Sequence, residues 1–438
     1  MTMIRLILPM LLLLAAAPVR ADIAIQTVTS PGGITAWLVQ DAGIPFTALE
    51  VRFRGGTSLD QPGARGATNL MTALIEEGTG DLDAQGFAMA RDALAASFSF
   101  SSDDDTVAVS AKFLTENRDQ AVDLLRQAIT APRFDPDAVE RVRGQVLAGL
   151  RSDAKDPEAL ASLAFNAAAF GAHPYGTSGD GTIDSVTALT RDDIIAAHAA
   201  ALSRSGVYIA AAGDISPADL GLLIDRLLGG LPATGGVPPG RATIGLQGGV
   251  TAQDFPGPQS VILFGHSGIA RDDPDFFAAS ILNEILGGGR FSARLMTEVR
   301  EKRGLTYGIG TYLVGYDQAE LVMGQLSSDN TKVAEAIGVI RDEWAKIAET
   351  GVTDAELAAT QTFLTGSYPL RFDGNGPIAN ILVGMQMIGL APDYPETRND
   401  KVNAVTMADV RRVAKRLFRA EDLAFVVVGK PVGVATGP

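Results

Sequence analysis

One order of features is written twice along this chain, and that repetition constrains the fold more than any single motif does. The stretch FTALEVRFRGGTSLDQPGARGATNLMTALIEEGTG, from Phe46, is matched downstream by SVILFGHSGIARDDPDFFAASILNEILGGG, from Ser260. In each, an apolar or alternating run reads as a strand and reaches a Gly-containing turn, and a polar loop then feeds an apolar-striped helix that stops at Gly. Leu70, Met71, Leu74 and Ile75 are predicted for the buried face of the first helix, and Ile281, Leu282, Ile285 and Leu286 for that of the second. Gly78 and Gly287 are expected to take φ > 0, which lacks a penalty only without a Cβ. A second pair follows: TENRDQAVDLLRQAITAPRFDPDAVERVRGQVLAGLRS and SDNTKVAEAIGVIRDEWAKIAETGVTDAELAATQTFLTGSY each read as helix, loop, helix. Asp135 and Thr353 sit as N-caps, the latter with Glu356 in a capping box. Strands DTVAVSAKFL and AELVMGQLS precede these helix pairs, and ASFSFSSDD reads as a short sheet edge. The fold class is α+β: two homologous modules, each an antiparallel β-sheet covered by helices on one side. The modules are placed at 22–230 and 249–438, joined by a Gly/Pro linker over 231–248.

Hydrophobic residues make up 46% of the 438, enough to fill two large cores. The net charge of −15 argues against nucleic acid as a partner, since phosphate is bound by clustered Lys and Arg. The absence of Cys excludes disulfides, thiol catalysis and thiolate metal sites. Residues 1–21, MTMIRLILPMLLLLAAAPVRA, combine a basic start, an apolar run and a small final residue. They read as a secretory signal peptide cut before Asp22, which places the mature protein in the periplasm. That run falls short of the roughly 20 apolar residues that cross a bilayer, and no later segment reaches them, so no membrane span is expected.

Two motif regions carry a resemblance. GGGRFSARLMTEVREKRGLTYGIGTY, Gly287 to Tyr312, combines a Gly-rich turn, a helix with Arg-Glu, and Gly-Leu-x-Tyr at fixed spacing; GAHPYG spans Gly171 to Gly176. With the duplicated layout, they resemble the pitrilysin/insulinase superfamily, the inverzincin metallopeptidases, and within it the short-chain branch that includes the mitochondrial processing peptidase. The resemblance implies a His-x-x-Glu-His helix early in the first half. Its two His share a helix face and meet one zinc, and its Glu activates the bound water, with a third ligand from a later helix. Registered on Gly66 and on Gly78-Thr79, that pattern places Asn69 at the first His, Thr72 at the Glu and Ala73 at the second His; Gly149 falls at the third ligand. Ala and Gly carry no donor, Asn is a poor one and Thr is no carboxylate base. No cofactor is therefore expected in this chain, and zinc is expected in a catalytic partner subunit.

The resemblance further implies that Arg300 and Tyr307 reach across to bind peptide or support the oxyanion. Their chemistry suits this, a permanent cation with a fork of donors and an aimed hydroxyl; Arg294 is a second candidate. Other groups read as structural. Glu76 and Glu77 are expected to be solvated, Asp103–Asp105 to form a turn with a weak oxygen-ligand metal site as the alternative, and His173, His198 and His266 to order a loop or pack. Gly287–Gly289 lacks the P-loop pattern. The expected function is a non-catalytic, substrate-binding subunit of an exported heterodimeric zinc peptidase, partnered by a homologous exported chain with an intact His-x-x-Glu-His and by extended peptides. The alternatives are a non-enzymatic peptide-binding or assembly protein, including a homodimer; an autonomous metallopeptidase with an unrecognised metal site; and a structural role like that of degenerate respiratory-complex core subunits.

Overall fold

Each predicted strand pairs with the others of its own half, and the two halves repeat one topology. The protein is described by a computed structural model covering residues 24–437, so the predicted signal segment lies outside the described residues. The first half holds β1 (Gln26–Thr29), β2 (Thr35–Gln40), β3 (Phe46–Arg54), a small ribbon of β4 (Gly78–Thr79) and β5 (Leu82–Asp83), then β6 (Ser97–Ser102), β7 (Thr106–Leu114) and β8 (Val207–Gly213). The second holds β9 (Gly249–Asp254), β10 (Gln259–Ser267), β11 (Thr306–Tyr316), β12 (Ala319–Asp329) and β13 (Ala424–Gly429). The first sheet runs β1-β2-β8-β3-β7-β6 and the second β11-β12-β10-β13-β9. Read from the opposite end, the second sheet repeats the first without β1: β9 answers β2, β13 answers β8, and the edge strands β11 and β6 correspond. Pairing is antiparallel except for β2–β8 and β9–β13. The last strand of each half enters between two earlier strands that run in opposite directions, β2 and β3 or β9 and β10, so it lies parallel to one of them.

The helices of each half pack on one face of its sheet, as expected. Leu70, Met71, Leu74 and Ile75 are fully buried there with Leu49, Val51 and Phe53, and Ile281, Leu282 and Leu286 with Phe264 and Trp344. The opposite faces are filled by exchange. Helix Asn375–Met387 of the second half lies across β2, β3 and β8 of the first. It brings Leu382 and Val383 onto Trp37 and Ala210, and Ala379 onto Ala48 and Ala212. Helix Pro157–Phe170 of the first half lies on β10 and β13 of the second, where Ala161, Phe165 and Ala169 meet Leu263, Val426 and Val428. Alanines on both sides let helix and sheet approach closely.

Local details follow the sequence with two corrections. Thr353 and Glu356 form the capping box. Asp135 stands at an N-cap position without a capping bond, because its carboxylate pairs with Arg133 at 2.7 Å. Gly78 has φ 132°, but Gly287 is a helical residue without positive φ. Its requirement is space: a Cβ there would stand 2.4 Å from Thr311 Oγ1.

The Asp103–Asp105 run is the β6–β7 turn, its first carboxylate accepting the N–H groups of Asp105 and Thr106 at 2.8 and 2.7 Å. The turn also joins the halves. Asp105 accepts the Asp317 N–H at 2.9 Å and the Tyr175 hydroxyl, and Asp317 pairs with Arg54 at 2.7 Å. GAHPYG supplies Tyr175, whose ring packs against Tyr316 at 4.8 Å between centroids.

Candidate functional site

The scaffold of the expected metal site is present. Helix Ala67–Leu74 is positioned by Asp60, whose carboxylate accepts the N–H groups of Gly66 and Thr68 at 2.8 and 2.9 Å and the Thr68 hydroxyl at 2.6 Å. Burial pushes the Asp60 pKa up against those bonds. Gly66, at φ 96°, turns the chain into the helix where a Cβ would stand 2.7 Å from the Asp180 carbonyl. The helix packs on Pro136–Asp153, which carries Gly149. The structure thus brings together the two helices that the resemblance assigns to a zinc site.

Their side chains do not suit zinc. Thr72 is buried and donates its hydroxyl to the Thr68 carbonyl at 2.8 Å. Ala73 is exposed, Asn69 is half-buried, and open space surrounds the position of a Cβ on Gly149. Glu76 and Glu77, expected to be solvated, are instead half-buried ion-pair partners of Arg91 at 2.8 Å and Arg141 at 2.5 Å. Burial raises the Glu76 pKa despite the pairing. Among the described residues, no group of three or more His, Asp or Glu is placed to hold a metal ion.

All three His have structural partners. His266 is buried and accepts the Trp344 indole N–H on Nε2 at 3.1 Å, which leaves Nδ1–H to donate to the Ser267 carbonyl at 2.7 Å. His198 meets the Ile129 carbonyl through Nε2 at 2.8 Å. Burial pushes both pKa values down, so both rings stay neutral. His173 accepts the Tyr175 N–H on Nδ1 at 3.3 Å and meets the Gly240 carbonyl through Nε2 at 3.1 Å, ordering the GAHPYG loop.

The second-half signature builds a cleft wall. Arg300 lies in a π-helical turn, Met296–Glu301, that leads through Gly304 into β11. A bulge between Thr306 and Ile309 interrupts the pairing of β11 with β12, and Tyr307 is 88% exposed there. The Thr306 hydroxyl holds the bulge, donating to the Ser327 carbonyl at 2.7 Å and accepting the Gly308 N–H at 3.1 Å. Bulges re-aim side chains in this way beside working sites. Tyr307 lines a cleft of about 840 Å³ between β11 and the start of helix Pro157–Phe170, where Asp156 and Glu158 stand. As an edge strand, β11 has one side unpaired within its sheet. Arg300 does not line this cleft; its guanidinium lies over the exposed Phe291 ring at 4.7 Å. Arg294 is committed elsewhere, to Glu356 at 2.7 and 2.8 Å. Burial opposes ionisation of that Glu, yet the bonds from Arg294 and Thr353 outweigh it and hold its pKa at about 2. Phe291 was not singled out from the sequence, although an aromatic residue beside the Gly-rich turn was the available signal.

Such a fold and site define a two-module, peptidase-like α+β protein in which the expected metal positions carry no zinc-binding set. Residues 36–182 match the insulinase family, peptidase family M16, and residues 188–364 match the peptidase M16 inactive domain. The chain belongs to the M16, or pitrilysin/insulinase, superfamily and carries its inactive domain type. It is 25% identical to a non-peptidase homolog of Helicobacter pylori, over 88% of this chain and 89% of that one. It is 26% identical to an uncharacterized zinc protease of Streptomyces coelicolor, over 89% and 86% respectively. A crystal structure of a peptidase M16 inactive domain from Pseudomonas fluorescens superposes with a TM-score of 0.87 at 29% identity, covering 94% of this chain and all of that one.

Proposed function

We propose that this chain is the non-catalytic, peptide-binding subunit of an exported, periplasmic zinc peptidase, acting beside a homologous chain with an intact His-x-x-Glu-His motif. The observation that carries the reading is the pairing of a kept scaffold with lost donors. The two helices still pack together while Asn69, Thr72, Ala73 and Gly149 supply no zinc-binding set. The second-half signature keeps its functional groups, with Tyr307 exposed in a cleft and Arg300 without a carboxylate ion-pair partner among the described residues. Extended peptide can pair with the free side of β11 through its backbone, and Arg300 and Tyr307 would serve the partner's zinc site. A non-enzymatic peptide-binding or assembly role is the second reading, favoured by the similarity to a non-peptidase homolog.

The test is co-expression with a homologous chain carrying the intact motif, with peptide cleavage followed by mass spectrometry. The expected outcome is cleavage by the pair and none by either chain alone. Arg300→Gln and Tyr307→Phe are each expected to lower kcat/KM about tenfold or more while zinc stays on the partner. Unchanged kcat/KM in both variants would remove the pair from the chemistry, and no cleavage by any co-expressed pair would favour the assembly role.

A further inference from the structure

A second cavity, of about 700 Å³, adjoins the first along β11, sharing Gly289, Thr311 and Tyr312 with it, and is walled by helices Phe276–Gly287, Asn375–Met387 and Tyr394–Asn403. Its volume falls within the roughly 300–1,000 Å³ of small-molecule sites. Three arginines, Arg271, Arg371 and Arg398, converge on it. In a chain with a net charge of −15, an Arg normally finds a carboxylate, yet among the described residues none of these three has an ion-pair partner. Among the described residues that line the cavity, Glu284 alone is acidic. Glu284, in the cavity wall, pairs with Arg290 at 3.0 Å, and Asp273 and Asp275, beside Arg271, pair with Arg416 and Arg412 at 2.6 Å.

Aromatic rings hold the cations in place. Arg271 lies over Phe276 at 4.1 Å and donates to the Tyr394 hydroxyl; Arg398 lies over Tyr368 at 4.3 Å. Stacking uses the guanidinium face and leaves edge N–H donors for a ligand. Arg398 donates through Nη1 to the Leu364 carbonyl at 3.0 Å. Burial pushes the Arg398 pKa down, and the charges of Arg271 and Arg371 push the same way, so an entering anion would oppose that shift. Two polar atoms packed behind the wall lack hydrogen-bond partners, although the Asn283 Nδ2 donates to the Thr311 carbonyl at 3.1 Å. Asn283 and Thr311 are more than nine-tenths buried, and Asn283 Oδ1 and the Thr311 hydroxyl make no hydrogen bond.

We infer that this cavity is a binding site for an organic carboxylate attached to an apolar body, with Arg271, Arg371 and Arg398 as the anion clamp. A guanidinium fork matches a planar carboxylate in two parallel bonds, and the aromatic and aliphatic walls, including Phe277, Met385 and Leu390, suit an apolar chain better than a bare inorganic anion. Two sources share this chemistry: the free C-terminus of a peptide ending in an apolar residue, and a medium-chain fatty acid. The inference does not rest on the zinc-peptidase reading: the cavity shares Gly289, Thr311 and Tyr312 with the Tyr307 cleft, but its three arginines belong to neither that cleft nor the degenerate metal helices.

Isothermal titration of the full mature chain tests it, with N-acetyl-Leu-Phe, its C-terminal amide, octanoate and inorganic phosphate as probes. Saturable binding of at least one carboxylate is expected, with the amide and phosphate at least about tenfold weaker, the loss that accompanies a missing charge-assisted bond pair. The exposed Arg371 tolerates replacement, and Arg371→Gln is expected to weaken carboxylate binding about tenfold without changing thermal stability. Preference for the acetylated dipeptide over octanoate would identify a peptide end, and the reverse a fatty acid. The inference is overturned if neither carboxylate binds saturably up to about 5 mM, if acid and amide bind alike, or if Arg371→Gln leaves the affinity unchanged.

Discussion

Asp105→Asn isolates one of the polar contacts between the two halves. The carboxyl of Asp105 accepts the Asp317 N–H and the Tyr175 hydroxyl. Burial raises its pKa from the ordinary 3.8 to about 6, outweighing those hydrogen bonds, and the nearby charges of Asp317 and Asp103 add to the rise. The folded protein therefore holds this proton more tightly than the unfolded chain. The stabilisation is fully present below about pH 3.8 and is lost as the pH rises through about 6. Between pH 5 and 7.5 the linkage amounts to at most about 1.4 kcal/mol, and solvent screening of the half-buried carboxyl brings the expected value to about 1 kcal/mol. Asn cannot ionise. Its Oδ1 can accept the Asp317 N–H while its Nδ2 donates to the Tyr175 oxygen, since a phenol both donates and accepts. Urea unfolding followed by tryptophan fluorescence suits the test, because Trp37 reports on the first half and Trp344 on the second. The variant should gain about 1 kcal/mol relative to the wild type between pH 5 and 7.5. Taking the difference between the two proteins cancels other titrating groups, the depressed His198 and His266 among them. Parallel pH profiles for the two proteins would refute the assignment of Asp105 as the group that titrates at this junction.

Two further changes test other parts of the structure. His266→Leu removes the acceptor of the buried Trp344 indole N–H and is expected to destabilise the second half by about 1–3 kcal/mol, read as a lower urea midpoint at an unchanged slope. Grafting donors onto the positions registered with the family motif, as Asn69→His, Ala73→His and Gly149→Glu together, should give a chain that binds about one equivalent of zinc where the parent is expected to bind none, measured by metal analysis after dialysis. Failure of the folded triple variant to bind zinc would show that the spacing of the helix pair has drifted beyond the reach of three ligands.

The alternation of FTALEVRFR and SVILFGHS set β3 and β10, and the stripes Leu70–Ile75 and Ile281–Leu286 set the helices that pack over them, because periodicity states which side chains share a face. The Thr353–Glu356 box was equally readable, being complete within four residues. Glu76 and Glu77 were not: their partners, Arg91 and Arg141, come from separate helices that only packing brings near. The ion pair of Arg294 was not readable for the same reason, its Glu356 partner lying 62 positions away.

The order of residues by itself determined that one module is repeated and that the positions registered with the family's metal motif hold no donor set, since a missing imidazole or carboxylate is a fact of composition that no folding can restore. Tertiary structure alone decided the rest. It set which helix crosses to cover the other half's sheet, that Asp105 meets Asp317 across the junction, and that three arginines from a loop, a helix end and a further helix line one cavity with no carboxylate ion-pair partner among the described residues. Those arrangements depend on how two finished sheets dock, and docking is governed by shape and charge summed over distant segments.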